Sequence, residues 1–477
     1  MTRDATRFYI GGDWVTPARR ATMPITDPAT EEEIGTVALG SAADVDRAVG
    51  AATEAFETFG RWPKAERIAL LQRIRDLTEA RREDLARAMS LEMGAPITMA
   101  REVQAEAGIG HADGFLEALE AQEERWQLPN GDTLLREPIG PVGLICPWNW
   151  PINQIALKVL PALATGCPAI LKPSEYTPLS AAIYAEILHE AGMPPGAFAL
   201  IHGTGAEVGD ALARHPGLAM VSFTGSTRAG VSVTKSAADS VKRVTLELGG
   251  KSPNLVFADC GADLEARVTA SVAECFLNTG QSCDAPTRLI VERSCYDEAV
   301  AIAARAAEAT EVGDPRAEGD HIGPLFDRLQ WDRVQARIEA GIAEGARLVA
   351  GGPGRPEGMN RGWYARPTVF ADVRNDMTIA QEEIFGPVLS ILPAADEAEA
   401  IAIANDTPYG LAAYIQTGDP DRAERVAGRL RAGAVHVNGG AIGWGTPFGG
   451  YKASGNGREG GVMGLEDYQE VKSLHFG

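Results

Sequence analysis

From about residue 142 onward, short apolar runs alternate with helical stretches, and each run ends in a turn marked by Gly or Pro. The earliest are Val142–Cys146, Ala169–Leu171, Phe198–Ile201, Met220–Phe223 and Val244–Leu248. A run with no polar face must be covered on both sides. The intervening helices supply that cover, so the rhythm predicts a parallel sheet with crossover helices. It resumes in Asn254–Phe257, Leu289–Glu292, Arg347–Ala350, Val388–Leu392, Leu411–Gln416 and Ala434–Val437. A second α/β domain is therefore expected to begin near Gly249 and Gly250, and 477 residues leave room for both.

The first third reads as mostly helical, with apolar residues at helical spacing in Ser41–Phe59 and Lys64–Met93. Leu128–Glu137 alternates around Asn130-Gly131, a hairpin signal, and Glu470–Phe476 resembles one more strand. The net charge of −21, from 65 acidic and 44 basic side chains, repels phosphate backbones and anionic headgroups, so neither nucleic acid nor membrane is an expected partner. The N-terminus is polar and shows no signal core, and no stretch is apolar for long enough to span a bilayer. Six cysteines (146, 167, 260, 275, 283 and 295) lack metal-ligand spacing. They are expected to be the reduced thiols of a cytoplasmic protein, with no metal site. Only eight of the basic residues are lysines; four of them, Lys158, Lys172, Lys251 and Lys452, fall in Gly- or Pro-rich stretches where a compact charge has a use that arginine does not serve.

Four segments can carry chemistry. Cys283 follows a glycine-containing polar turn, where backbone dipoles can activate a thiol; the other reading is a buried structural cysteine. Glu247 stands alone at the end of an apolar strand. It is either a carboxylate with a raised pKa suited to a general base or one salt-bridged at a sheet edge. Asn149, between two Trp and two Pro, is held rigidly enough to donate to an oxyanion, although such clusters also simply pack. The Ser222–Gly230 turn leads from a strand into a helix, where a pyrophosphate can rest on backbone N–H groups, and Lys172 and Glu175 end another strand where ribose hydroxyls would need partners.

Over nearly its full length the chain resembles the aldehyde dehydrogenase superfamily. The resemblance is carried in order by Pro147-Trp-Asn-Trp-Pro151, Leu171-Lys-Pro-Ser-Glu175, Phe223-Thr-Gly-Ser-Thr227, Leu246-Glu-Leu-Gly-Gly-Lys251, Gly280-Gln-Ser-Cys283, Glu382-Glu-Ile-Phe-Gly-Pro387 and Pro447-Phe-Gly-Gly-Tyr-Lys452. It implies an α/β fold. A Rossmann-like NAD-binding domain would span residues 1–122 and 139–249, a catalytic domain residues 250–449, and a β oligomerisation arm residues 123–138 and 466–477. A homodimer or homotetramer follows from the same resemblance.

The resemblance further implies Cys283 as nucleophile, Glu247 as general base, Asn149 as oxyanion donor, and Lys158 with Glu459 as a proton-relay pair. Cofactor contacts would come from Cys146, Pro147, Trp148, Lys172, Ser174, Glu175, Gly225, Ser226, Leu248, Glu383 and Phe385. Glu175 favours NAD over NADP, because its carboxylate repels a 2′-phosphate. Trp150, Leu157, Leu277, Ile442 and Phe448 would line the aldehyde tunnel, with Gln154 as the polar exception. Leu157 replaces an arginine found in relatives that oxidise succinate semialdehyde, so an uncharged apolar or aromatic aldehyde is expected. Asp284, after the nucleophile, departs from the neutral residue of many relatives. It can face the sulfur, face the tunnel, or turn away to pair with Arg288 or water. Two alternatives are a relative that passes its acyl group to coenzyme A, disfavoured by Glu247, and a catalytically dead homologue, disfavoured by the intact Cys283, Glu247 and Asn149.

Overall fold

The computed structural model describes residues 4–476; residues 1–3 of the expected first domain and residue 477 of the expected arm lie outside the described residues. The apolar runs assemble into two large sheets. The first has eight strands, in the order Gly455–Asn456, Arg243–Glu247, Met220–Thr224, Val142–Ile145, Ala169–Lys172, Phe198–Leu200, Phe8–Ile10 and Asp13–Val15. From Arg243–Glu247 to Phe198–Leu200 the strands are parallel, and the outer ones pair antiparallel.

Alternation of side chains explains why the central strands are apolar throughout. Leu144, Leu171 and Met220 enter one core with Leu70, Phe115 and Val159, which come from the helices Lys64–Ala80, Ala105–Ala121 and Pro151–Thr165. Ile145, Ile170 and Val221 enter another with Val45 and Val49 of the helix Ala42–Phe59. Both faces are dry, so an unpartnered polar side chain on these strands is costly unless it opens on a cavity at the strand end.

The second sheet has seven strands, in the order Arg347–Ala350, Thr368–Ala371, Val388–Ala394, Arg288–Glu292, Pro253–Val256, Ala412–Gln416 and Ala434–Val437. All neighbours are parallel except the first pair. It too divides its side chains between two cores, Ile290 to one and Leu289 with Val291 to the other. A small antiparallel sheet joins Arg125–Gln127, Thr133–Pro138 and Gln469–Leu474. Its hairpin turns at Gly131, whose φ of 93° is open to glycine at no steric cost.

The fold is α/β, with three departures from the sequence pattern. Residues 8–39 form four strands ahead of the first helix. They are short or, as in Ala21–Asp27, alternate between buried and exposed positions, so no apolar run announces them. The expected helix Lys64–Met93 is two helices that turn at Arg81, whose guanidinium pairs with Asp84, Glu186 and Glu190. Arg347–Ala350 runs antiparallel at a sheet edge, beside the unforeseen strand Thr368–Ala371.

Arg288 is fully buried at the start of its strand. Its guanidinium donates to the carbonyls of Lys251, Ile403 and Ala404 and to Asn375 Oδ1, at 2.9–3.1 Å. Replacing it with an apolar side chain leaves those acceptors dry and unpaired. Arg288→Met should therefore cost about 3 kcal/mol or more, seen as a lower midpoint of thermal inactivation. An unchanged midpoint would mean these bonds do not hold the sheet.

Candidate active site

The helix Leu264–Phe276 leads into a turn where Asn278 and Thr279 both have positive φ, 54° and 58°. Residues other than glycine rarely stay there unless held. Asn278 Nδ2 donates to Asn149 O at 2.8 Å and to Gln281 O at 3.3 Å, while Gln104 Nε2 donates to Asn278 Oδ1 at 3.2 Å. Asn149 Nδ2 donates to the same Gln281 oxygen at 2.9 Å, and Trp150 Nε1 to Ser282 Oγ at 2.8 Å. The Pro147–Pro151 loop is thereby tied to the turn just ahead of Cys283.

Glu247 ends its strand on the first sheet, and Gly249 and Gly250 carry the chain onward to the second. A Cβ on Gly250 would lie 2.3 Å from the carbonyl oxygen of Cys283, and one on Gly249 would lie 2.3 Å from Glu383 Oε2. At Gly250, against backbone, hydrogen alone fits; at Gly249 a methyl group would have to displace the Glu383 carboxylate. Glu383 Oε1 accepts from Gly250 N at 3.2 Å, and Gln330 Nε2 donates to the carbonyls of Ile384 and Phe385 at 3.0 and 2.8 Å. Those two bonds steady Phe385, which itself has a φ of 59°.

Two cavities meet at the cysteine. One, of about 400 Å³, is lined by Pro147, Trp148, Asn149, Gly225, Ser226, Leu248, Glu383 and Phe385. The other, of about 250 Å³, is lined by Trp150, Leu157, Leu277, Asp284, Ile442 and Phe448, with Glu459. Gln154, Thr224, Glu247 and Cys283 line both. Ser226 caps the helix Thr227–Ala237, accepting from Ala229 N at 3.3 Å, so a helix N-terminus opens on the first cavity.

Lys172 and Glu175 form an ion pair at 2.8 Å, and Ser174 Oγ accepts from Tyr176 N at 3.3 Å. These three and Cys146, whose buried thiol donates to Gln154 O, do not line the first cavity itself. For Lys172, Ser174 and Glu175 the physical reason is sheet order. Ala169–Lys172 lies two strands away from Met220–Thr224, where the Gly225–Ser226 turn starts.

Glu247 is 5% exposed, and neither carboxylate oxygen has a hydrogen-bond partner among the described residues. It forms no salt bridge, so the ion-paired reading of this residue does not hold. Burial pushes its pKa well up, nearby Glu459 adds to the rise, and Lys158 opposes it. Lys158 is spent on Glu459 and on Ser222 Oγ, the latter at 2.9 Å. Burial also lifts the Cys283 thiol well above its usual value, and Asp284, Glu383 and Glu247 lift it further. Asp284 faces the second cavity, and its expected pairing with Arg288 does not form, because that guanidinium is engaged elsewhere.

Comparison with known proteins agrees with this geometry. The model of the aldehyde dehydrogenase family matches residues 14–474. The chain belongs to the aldehyde dehydrogenase family. It is 49% identical over 475 residues to 3-succinoylsemialdehyde-pyridine dehydrogenase of a Pseudomonas species, covering 99% of this chain and 98% of that one. An aldehyde dehydrogenase from Bartonella henselae superposes with a TM-score of 0.97 at 48% identity, covering 99% of both chains. A mutant of aldehyde dehydrogenase C from Pseudomonas syringae, complexed with NAD+ and octanal, also gives 0.97, at 49% identity over 98% of this chain and 96% of that one. This aldehyde dehydrogenase is an enzyme of the α/β class.

Several residues of the site were not foreseen. Thr224 lines both cavities, Gln330 fixes the Phe385 turn, and Gln104 braces Asn278. Gln104 is 174 residues from its partner, and nothing local marks it. His111, Asn153, Glu274 and Trp444 join the second cavity from separate elements.

Asp284→Asn removes one of the negative charges that raise the Cys283 thiol. A lower pKa means more thiolate at a given pH, so iodoacetamide should alkylate the resting variant several-fold faster near neutral pH. Equal rates in the two proteins would show that Asp284 does not act on the sulfur.

Proposed function

We propose that this enzyme oxidises an apolar or aromatic aldehyde to a carboxylic acid with NAD, through a thioester on Cys283. The observation that carries the reading is the shared wall. Cys283 and the unpaired carboxylate of Glu247 both border a cavity headed by a helix N-terminus and a second cavity walled by Trp150, Leu157, Leu277, Ile442 and Phe448.

The residues fit NAD. Gly225 and Ser226 would hold its pyrophosphate at the helix N-terminus, Glu383 and Phe385 the nicotinamide half, and Lys172 with Glu175 the adenosine ribose. The chemistry NAD supplies when bound is acceptance of the hydride that leaves the sulfur-bound carbon. Cys283 Sγ, once its thiol proton has passed to solvent, adds as the thiolate to the aldehyde carbon, and Asn149 Nδ2 with the Cys283 N–H donates to the oxyanion. Once the acyl group is on sulfur, Glu247 takes a proton from water as the water oxygen attacks, and the C–S bond breaks to release the acid. Glu459 and Lys158 border Glu247 and can pass that proton on. Transfer to coenzyme A would not need a base at this position.

Two relatives support the substrate class. The Pseudomonas syringae enzyme is complexed with octanal, and the name of the Pseudomonas relative joins a semialdehyde to a pyridine. We also assign assembly into a homodimer or homotetramer to the three-stranded arm, where Val471 and Phe476 are 57% and 76% exposed. The acidic surface and six free cysteines support a cytoplasmic setting.

Glu247→Gln should give a burst of NADH near one equivalent per site and then slow turnover, with the acyl group found on Cys283 by mass spectrometry. A general base is worth about 10²–10⁴-fold, so steady turnover at the wild-type rate would remove Glu247 from that role. In the wild type, acyl hydrolysis should rise with pH through a range above that of ordinary carboxylates, because Glu247 acts only when ionised.

Cofactor choice is tested separately. kcat/KM should be higher with NAD than with NADP, and Glu175→Gln should narrow the gap. A preference for NADP in the wild type would contradict the assignment of Glu175.

A further inference from the structure

We propose that the aldehyde tunnel selects substrates whose far end carries a cationic nitrogen, received by Asp284 within the tunnel and Glu274 at its mouth. The inference rests on the aldehyde-oxidising reading above and departs from its apolar substrate by placing a positive charge at the far end.

Four acids, Glu274, Asp284, Glu247 and Glu459, line the tunnel, and no lysine or arginine does so among the described residues. Glu459 is paired with Lys158 and burial pushes Glu247 well toward the neutral form, which leaves Glu274 and Asp284, themselves raised by burial, as the acids open to a ligand. The imidazole on that wall, His111, is bonded to Asn153 Oδ1 at 2.7 Å and is held neutral by burial, its pKa pushed down to about 4. A bound carboxylate would therefore meet like charge and no counter-ion.

Glu247 and Glu459 already have roles in the proposed chemistry. Glu274 and Asp284 do not, and no other residue donates a side-chain or backbone hydrogen bond to either carboxylate among the described residues. Tyr414, beneath them, donates its hydroxyl to the backbone oxygen of Asp284 at 3.2 Å, leaving the carboxylate to the cavity. His436 stacks on that tyrosine with ring centroids 4.7 Å apart, and its Nδ1 donates to Gly440 O at 2.8 Å. It makes no ion pair with either acid.

Two further features suit a cation independently of the acids. Gln154 is 6% exposed, lines the tunnel, and has a side-chain carbonyl oxygen with no donor. Trp150, Trp444 and Phe448 add aromatic faces, which attract alkylammonium and pyridinium groups and cost them little desolvation. Glu274 is exposed and Asp284 half-buried. A cation entering from solvent thus meets negative charge at the mouth and again beside the nucleophile.

The test compares two substrates of the same shape: a butanal ending in trimethylammonium and its neutral isostere ending in tert-butyl, with octanal and succinate semialdehyde alongside. The ratio of kcat/KM for the cationic to the neutral isostere is read within each protein, so any change in the reactivity of Cys283 cancels. In the wild type it should be about tenfold or more, a difference of ~1.4 kcal/mol, and it should shrink as ionic strength rises. It should fall toward one in Asp284→Asn with Glu274→Gln. Should Asp284→Asn not fold, Glu274→Gln alone, at the exposed mouth, should still lower it measurably. A wild-type ratio of one or less, or a ratio that neither variant changes, overturns the inference while leaving octanal turnover and the aldehyde-oxidising reading intact. Absence of turnover with every aldehyde would overturn both.

Discussion

Two parallel sheets can share one reaction site only where their strand ends come within the width of a hydrogen atom on a Cα. In this enzyme that place is Gly249-Gly250. On one side of it the first sheet delivers Glu247, and on the other stand the backbone of Cys283 and the carboxylate of Glu383, each too near to admit a methyl group. The turn that presents Cys283 then needs its own restraints, because Asn278 and Thr279 hold a backbone conformation they would not keep in water. Gln104 and the Asn149 loop, both distant in sequence, supply them together with Gln281 of the turn itself. The site follows from a backbone contact first and from polar bonds second.

Its electrostatics follow from the same crowding. Glu247, Glu383 and Asp284 are all pushed toward the neutral form by burial, and each negative charge that persists lifts the Cys283 thiol. Lys158, the buried lysine that opposes the rise at Glu247, is already engaged with Glu459 and Ser222. The protein alone therefore biases Cys283 toward the thiol and Glu247 toward its protonated form. A resting site of this kind is slow to react with adventitious electrophiles. It favours chemistry only when a ligand adds positive charge or displaces the water around it.

The sheets were legible in the sequence because burial on both faces leaves an unbroken apolar run, as in Val142–Ile145 and Met220–Thr224. The isolation of Glu247 was legible for the same reason, since a lone acid in such a run has nowhere wet to go. The strands of residues 8–39 were not. Phe8–Ile10 is buried but too short to stand out as a run, and the other three lie at a sheet edge or in a hairpin, with charged or hydroxyl side chains exposed. The braces of the cysteine turn were hidden for another reason. A hydrogen bond between Gln104 and Asn278 leaves no periodicity in either segment, and a tunnel wall gathered from several helices and loops has no local pattern. Pairing of Asp284 with Arg288 was one of the readings left open for that acid, and it does not form because Arg288 serves as a fastener for three carbonyls and an amide.

The contact at Gly249-Gly250 also makes the enzyme a gauge of its own assembly. In the roles proposed above, Glu247 belongs to one sheet and the backbone of Cys283 packs against Gly250, so a shift of one sheet against the other would change their spacing while every helix and strand stayed intact. Catalytic output thus reports the mechanical register between two bodies rather than the integrity of either. Substitutions far from the reacting atoms can silence the enzyme simply by letting that register drift.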